Sequence, residues 1–138
     1  MVLVLGLVLV LLGVSCGNNT SAAPTTPTPA SPTITQVFNG TLPVGGSSFY
    51  SFSMSVYGTV NATLLDIEGN GVPATVTVAL GIGTLSSTSC SPTSPTNVQI
   101  GGTVLATTTE QPGTYCVNIA DIGNLFSPAT FSIEIDHP

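Results

Sequence analysis

Lysine and arginine are both absent from these 138 residues, tryptophan is absent too, and the one histidine is His137. Without cationic side chains the chain cannot neutralise phosphates, which supplies most of the affinity for nucleic acid, so nucleic acid is excluded as a partner. Electrostatic adsorption to anionic lipid and internal salt bridges are excluded for the same reason. A lone histidine beside the C-terminal residue, where chain ends are usually mobile, is a poor general base. The sequence also lacks a GxSxG elbow, an HExxH motif and a CxxC pair. A non-enzymatic protein without a cofactor is therefore expected. What charge there is comes from six carboxylates, Asp66, Glu68, Glu110, Asp121, Glu134 and Asp136, giving a net −6. Solubility must rest mostly on Thr, Ser, Asn and Gly.

The first 15 residues, MVLVLGLVLVLLGVS, are apolar up to the final serine. That is shorter than the roughly 20 residues a spanning helix needs and matches the core of a signal peptide. The usual basic segment ahead of it is missing, so either the true start lies upstream, the favoured expectation, or the leader is atypical. Leu12-Gly13-Val14-Ser15-Cys16 resembles the lipobox of bacterial lipoproteins, with Gly13 where the family usually has Leu. The resemblance implies a lipidated Cys16 and a membrane attachment through two or more acyl chains, which is what stable anchoring requires. Plain secretion with an unmodified Cys16, or a retained anchor helix, are the alternatives. Residues 16–33 form a Thr/Ser/Pro-rich linker, too poor in large apolar side chains to fold and suited to an extended spacer. An O-glycosylated stalk fits the same composition.

From Ile34 onward the apolar period becomes two. Tyr50, Phe52, Met54 and Val56 share one face of YSFSMSV, Val60, Ala62 and Leu64 one face of TVNATLL, and Val76, Val78 and Leu80 one face of ATVTVAL. TFSIEI repeats the pattern with Phe131, Ile133 and Ile135. Gly45-Gly46, EGNG at 68–71, SPTSP at 91–95, Gly101-Gly102 and QPG at 111–113 punctuate the strands. No stretch after the leader has a 3.6-residue period. The expectation is an all-β domain over residues 34–138, an antiparallel β-sandwich or jelly roll of about 7–9 strands.

In GTYCVNI, Tyr115, Val117 and Ile119 share one face, which turns Cys116 to the other. With Cys16 assigned to the leader, Cys90 and Cys116 remain to form a disulfide in an oxidising compartment. The 26-residue separation makes such a bridge worth about 3.5 kcal/mol in the chain-entropy account. It would fasten the Ser/Pro-rich stretch 86–97 to a framework strand. An immunoglobulin pattern is disfavoured, because the cysteines are too close, there is no Trp, and Tyr115 adjoins the second Cys directly.

NGTLPVGGSSFYSFSMSVYGTVNATL at 39–64, followed by PGTYCVNIADIGNLFSPATFSIEI, resembles the bacterial pre-peptidase C-terminal (PPC) type of domain. The likeness lies in a Gly-x-Leu opening, a Tyr-x-Phe strand, a Gly-started strand and a late Gly-x-Tyr strand. It implies a jelly-roll accessory module on secreted or surface proteins, some of which bind polysaccharide or collagen. GVPATVTVALGIG stands where many members carry an Asp-rich strand, so a family calcium site does not carry over.

Asp66, Glu68 and Asn70 alternate ahead of Gly71 like the start of a calcium loop, but the twelfth position is Thr77 instead of a bidentate Glu. A hairpin turn with positive φ at Asn70 and Gly71 is the competing reading, with Ca2+ binding as a weak site. Asp66 with Glu68, or Glu134 with Asp136, would share a strand face as a glycosidase pair does, although a solvated edge has the same spacing. Phe49, Tyr57 and Phe126 fall off the core alternation and are candidates for stacking on a polysaccharide or protein ligand. Asn18, Asn19, Asn39 and Asn61 begin glycosylation sequons, which matter only in a host that uses them. The sequence thus leads to a lipid-anchored module on a bacterial cell surface or outer membrane, serving binding or adhesion. The alternative is a self-assembling subunit of an extracellular filament, with the leader or residues 31–40 adding a strand to a neighbour.

Overall fold

The computed structural model describes residues 31–106 and 110–138. Its strands are β1 (Ile34–Leu42), β2 (Ser47–Met54), β3 (Asn61–Glu68), β4 (Val78–Ser86), β5 (Ser89–Pro92), β6 (Thr96–Val98), β7 (Thr103–Leu105), β8 (Gly113–Asp121) and β9 (Ala129–His137). Every pairing is antiparallel. One sheet has the order β1-β9-β3-β7, the other β2-β8-β4-β5 with β6 also on β4. The expected antiparallel sandwich is therefore the fold, with nine strands among the described residues.

The alternating residues close its core. Phe52 and Met54 from β2, Ala62 and Leu64 from β3, Val78 and Leu80 from β4, Val117 and Ile119 from β8, and Phe131, Ile133 and Ile135 from β9 are all buried between the sheets. Burial of such side chains is worth about 1.5–3 kcal/mol each, which a chain without salt bridges needs.

The structure differs from the sequence expectation at four places. Val56 does not continue the buried face of β2, because that strand ends at Met54 and Val56 is exposed. In β3 the register slips between Leu64 and Asp66, opposite Ile133 and Ser132. This bulge leaves Leu65 in solvent and restores Ile67 to the core. The EGNG stretch is not a β-hairpin, since β3 and β4 belong to different sheets. Gly69 and Val72 close a turn there at 3.1 Å, with positive φ at Gly71 and not at Asn70. Finally, His137 is no mobile terminus: it completes the inward face of β9 opposite Ile34, with 1% of its surface exposed.

The two flanks of the sandwich differ. Along the β1–β2 flank the Tyr50 hydroxyl donates to the Asn39 carbonyl, and the Ser48 hydroxyl donates to the Thr41 carbonyl at 2.8 Å. Phe38 stacks on Tyr50 with ring centroids 4.8 Å apart. These contacts tie two edge strands together across the sheets. The opposite flank is bordered by β7, β5 and β6, of three, four and three residues, and carries a cleft beside β7.

Candidate functional site

Cys90 and Cys116 form a disulfide with an S–S distance of 2.03 Å. Cys116 lies on the outward face of β8, directly opposite Gly83 of β4, and Cys90 lies on β5, the next strand over. The bridge therefore passes across β4 at a glycine. Outward positions Gly81 and Gly83 both lie under residues 91–95, and a methyl group on Gly83 would come within 2.6 Å of Pro92 Cα. Small residues on β4 thus make room for the Ser/Pro-rich segment, and the disulfide holds it there.

The three aromatic candidates do not form one platform. Phe49 sits on the outer face of β2, opposite Asn118, and is 37% exposed. Tyr57 lies beside Ser31, Thr33 and Pro138, at the end where the chain enters the domain. Phe126 is in the β8–β9 loop at the other end and is 92% exposed.

That second end is built around Asp121, at the close of β8. One carboxylate oxygen accepts the backbone N–H of Gly45 at 2.8 Å. The other accepts those of Gly123, Asn124 and Leu125 at 3.0, 2.9 and 3.2 Å. Burial pushes the Asp121 carboxyl up, but the four N–H donors outweigh it and hold the group below the ordinary carboxylate value. Asn124 Nδ2 donates to the Thr77 carbonyl at 2.8 Å, and Ser127 Oγ donates to the Asn70 carbonyl. Loops 43–46, 69–77 and 122–128 are thereby joined, with Leu125 buried under them and Val44, Ile122 and Phe126 exposed. Sequence reasoning passed over Asp121, although an Asp followed by Ile-Gly-Asn at a strand end is an Asx-turn signal.

The calcium candidates are separated by the same geometry. Asp66 and Glu68 lie opposite Ser132 and Thr130 on the outer face of their sheet, while Asn70 belongs to the turn and uses its carbonyl for Ser127. Among the described residues no three His, Cys, Asp or Glu side chains converge as a metal site. Glu134 and Asp136 share that outer face, opposite Thr63 and Asn61. Thr35 Oγ1 donates to Asp136 Oδ1 at 2.6 Å. Beside Asp66 and Glu68 lies an open depression of about 660 Å3, reaching Val72, Ile100 and Pro128.

His137 borders a depression at the chain-entry end that Ser31, Thr33, Tyr57 and Thr59 also line, and no hydrogen bond joins its ring to any of their hydroxyls among the described residues. Its ring packs on Phe52 with centroids 5.1 Å apart. Among the described residues Nδ1 meets only the Pro138 carbonyl, at 3.0 Å, and Nε2 is buried with no partner. Cys16, the leader and the linker through residue 30 lie outside the described residues, as do sequon residues Asn18 and Asn19. No protein-family model matches the chain, and no curated protein matches it.

Proposed function

We propose that the protein is a non-enzymatic extracytoplasmic lipoprotein, anchored through Cys16 and held off the membrane by its Thr/Pro linker, that binds a ligand with the loop end carrying Phe126. One observation carries this reading. Ile34 pairs with His137 at one end of the sandwich and Leu42 with Ala129 at the other, so the chain enters opposite the loops tied to Asp121. A tether at one end and a largely exposed phenylalanine on hydrogen-bonded loops at the other is the geometry of a presented binding tip. Fixing those loops beforehand lowers the entropy lost on binding. The Cys90–Cys116 bridge suits an oxidising compartment. The PPC-type resemblance belongs to the same proposal.

Filament assembly by donation of residues 31–40 is the weaker reading, because Ile34 to Gly40 already pair with β9 of their own chain. The presented tip is tested on cells expressing the full chain, probed against arrays of surface glycans and proteins. Phe126→Ser should abolish the binding seen with the wild type, while Tyr57→Ser at the tether end should leave it intact. Equal binding by wild type and Phe126→Ser would reject the tip.

A further inference from the structure

The flank without the Tyr50 contact contains a cleft of about 260 Å3 between β7 and the β4–β5 hairpin. Its floor is apolar: Ile82 and Val104 lie there, each 7% exposed, together with Tyr115. Thr84 and Thr93 line the rim, and one acid, Glu110, stands among them. The acid is held in place by its backbone, which exchanges two hydrogen bonds with Gly58 at 3.1 and 2.8 Å. We propose that this cleft binds a primary ammonium group on an aliphatic chain, either a free alkylamine or a lysine side chain presented by another protein.

Charge complementarity favours a cation over any other occupant. The protein has no Lys or Arg, so nothing of its own among those side chains neutralises Glu110, and the net charge of −6 repels anions. Glu110 supplies a carboxylate for the ammonium, and an aromatic ring such as that of Tyr115 adds cation–π attraction. Ile82 and Val104 accommodate the methylenes, as apolar surfaces do beneath lysine stems. Glu110 and Tyr115 line the same cleft, and the Tyr115 hydroxyl is fixed by donating to the Gln111 carbonyl at 2.8 Å, which holds the ring beside the acid's position. A ligand of five or six heavy atoms in such a site should bind with a dissociation constant on the order of 1 mM. The cleft is separate from the Phe126 loops and stands or falls independently of the proposed tip.

The test is an NMR titration of the isotopically labelled full chain in detergent with three probes: n-butylammonium, Nα-acetyl-lysine N-methylamide, and n-butanol as the neutral isostere. Saturable shifts at Ile82, Val104 and Tyr115 are expected with one or both ammonium probes. Butanol should bind at least about tenfold more weakly, as should the ammonium probes to Glu110→Gln, a change that leaves the Gly58 bonds available. Tyr115→Phe, which keeps the ring, should retain binding within about threefold. Response to butylammonium alone identifies a small amine, and response to the lysine derivative alone identifies a partner's side chain. Absence of saturation, equal response to butanol, or shifts centred elsewhere would overturn the proposal. Should Glu110→Gln not fold, the butanol comparison on the wild type decides.

Discussion

Breaking the Cys90–Cys116 bridge should cost this domain a large part of its stability. The loop it closes spans 26 residues, and the chain-entropy account assigns such a loop about 3.5 kcal/mol. Apart from the bridge, the segment is held by the close approach of residues 91–95 to Gly81 and Gly83 and by short strand pairing. β5 contributes only four residues of pairing to β4. For a domain of about 100 residues the expected fall in Tm is roughly 15–25 °C. The assay is thermal and guanidinium unfolding of the oxidised protein, the reduced protein and Cys90→Ala/Cys116→Ala. The reduced protein and the double variant should agree, since Cys116 is fully buried and its thiol or a methyl group stays apolar. A loss below about 1 kcal/mol with reduction verified by mass would refute the reasoning. It would mean that the β4–β8 pairing alone organises the segment.

Asp121→Ala should cost about 1–2 kcal/mol, because four backbone N–H groups lose a charged acceptor near solvent, and protease cleavage within 122–128 should accelerate. The depressed Asp121 carboxyl also sets a pH window. Its contribution is complete above the ordinary value of 3.8 and is lost as pH falls below that value through the lower folded one, so urea midpoints of the wild type should fall there and those of Asp121→Asn should fall less. His137→Leu should stabilise by about 1 kcal/mol, since it removes a buried ring nitrogen without a partner; a clear loss of Tm would show that Nε2 is hydrogen-bonded in solution. Tyr50→Phe should destabilise by about 1 kcal/mol by freeing the Asn39 carbonyl at the β1–β2 flank, measured by guanidinium unfolding.

The sandwich was legible because period-two alternation in β2, β3, β4 and β9 is a local signal that tertiary packing reinforced. The disulfide was legible by elimination, and the turning of Cys116 away from Tyr115, Val117 and Ile119 is what the β8 register gives. Less was readable where one residue changes the phase. The bulge at Leu65 returns Ile67 inward and keeps both Asp66 and Glu68 outward, a choice made by β9 across the sheet. His137 was misjudged from its sequence position, because pairing with Ile34 makes the chain end a strand. The binding candidates were hardest. Phe49, Tyr57 and Phe126 look alike in sequence, and only the topology sends them to a face and two opposite ends. Asp121 and Glu110 gain their roles from backbone groups distant in sequence, Gly45 and Gly58, which no local pattern connects.

Anchoring is the claim on which presentation of the Phe126 loops depends, and intact mass of the native protein from membrane and shed fractions tests it most directly. The account predicts a chain that begins at an acylated Cys16, runs as a monomer after detergent extraction, and gains about two daltons on reduction of one disulfide. An unlipidated chain that retains its leader and sediments as a denaturant-resistant polymer would contradict it and make assembly the function.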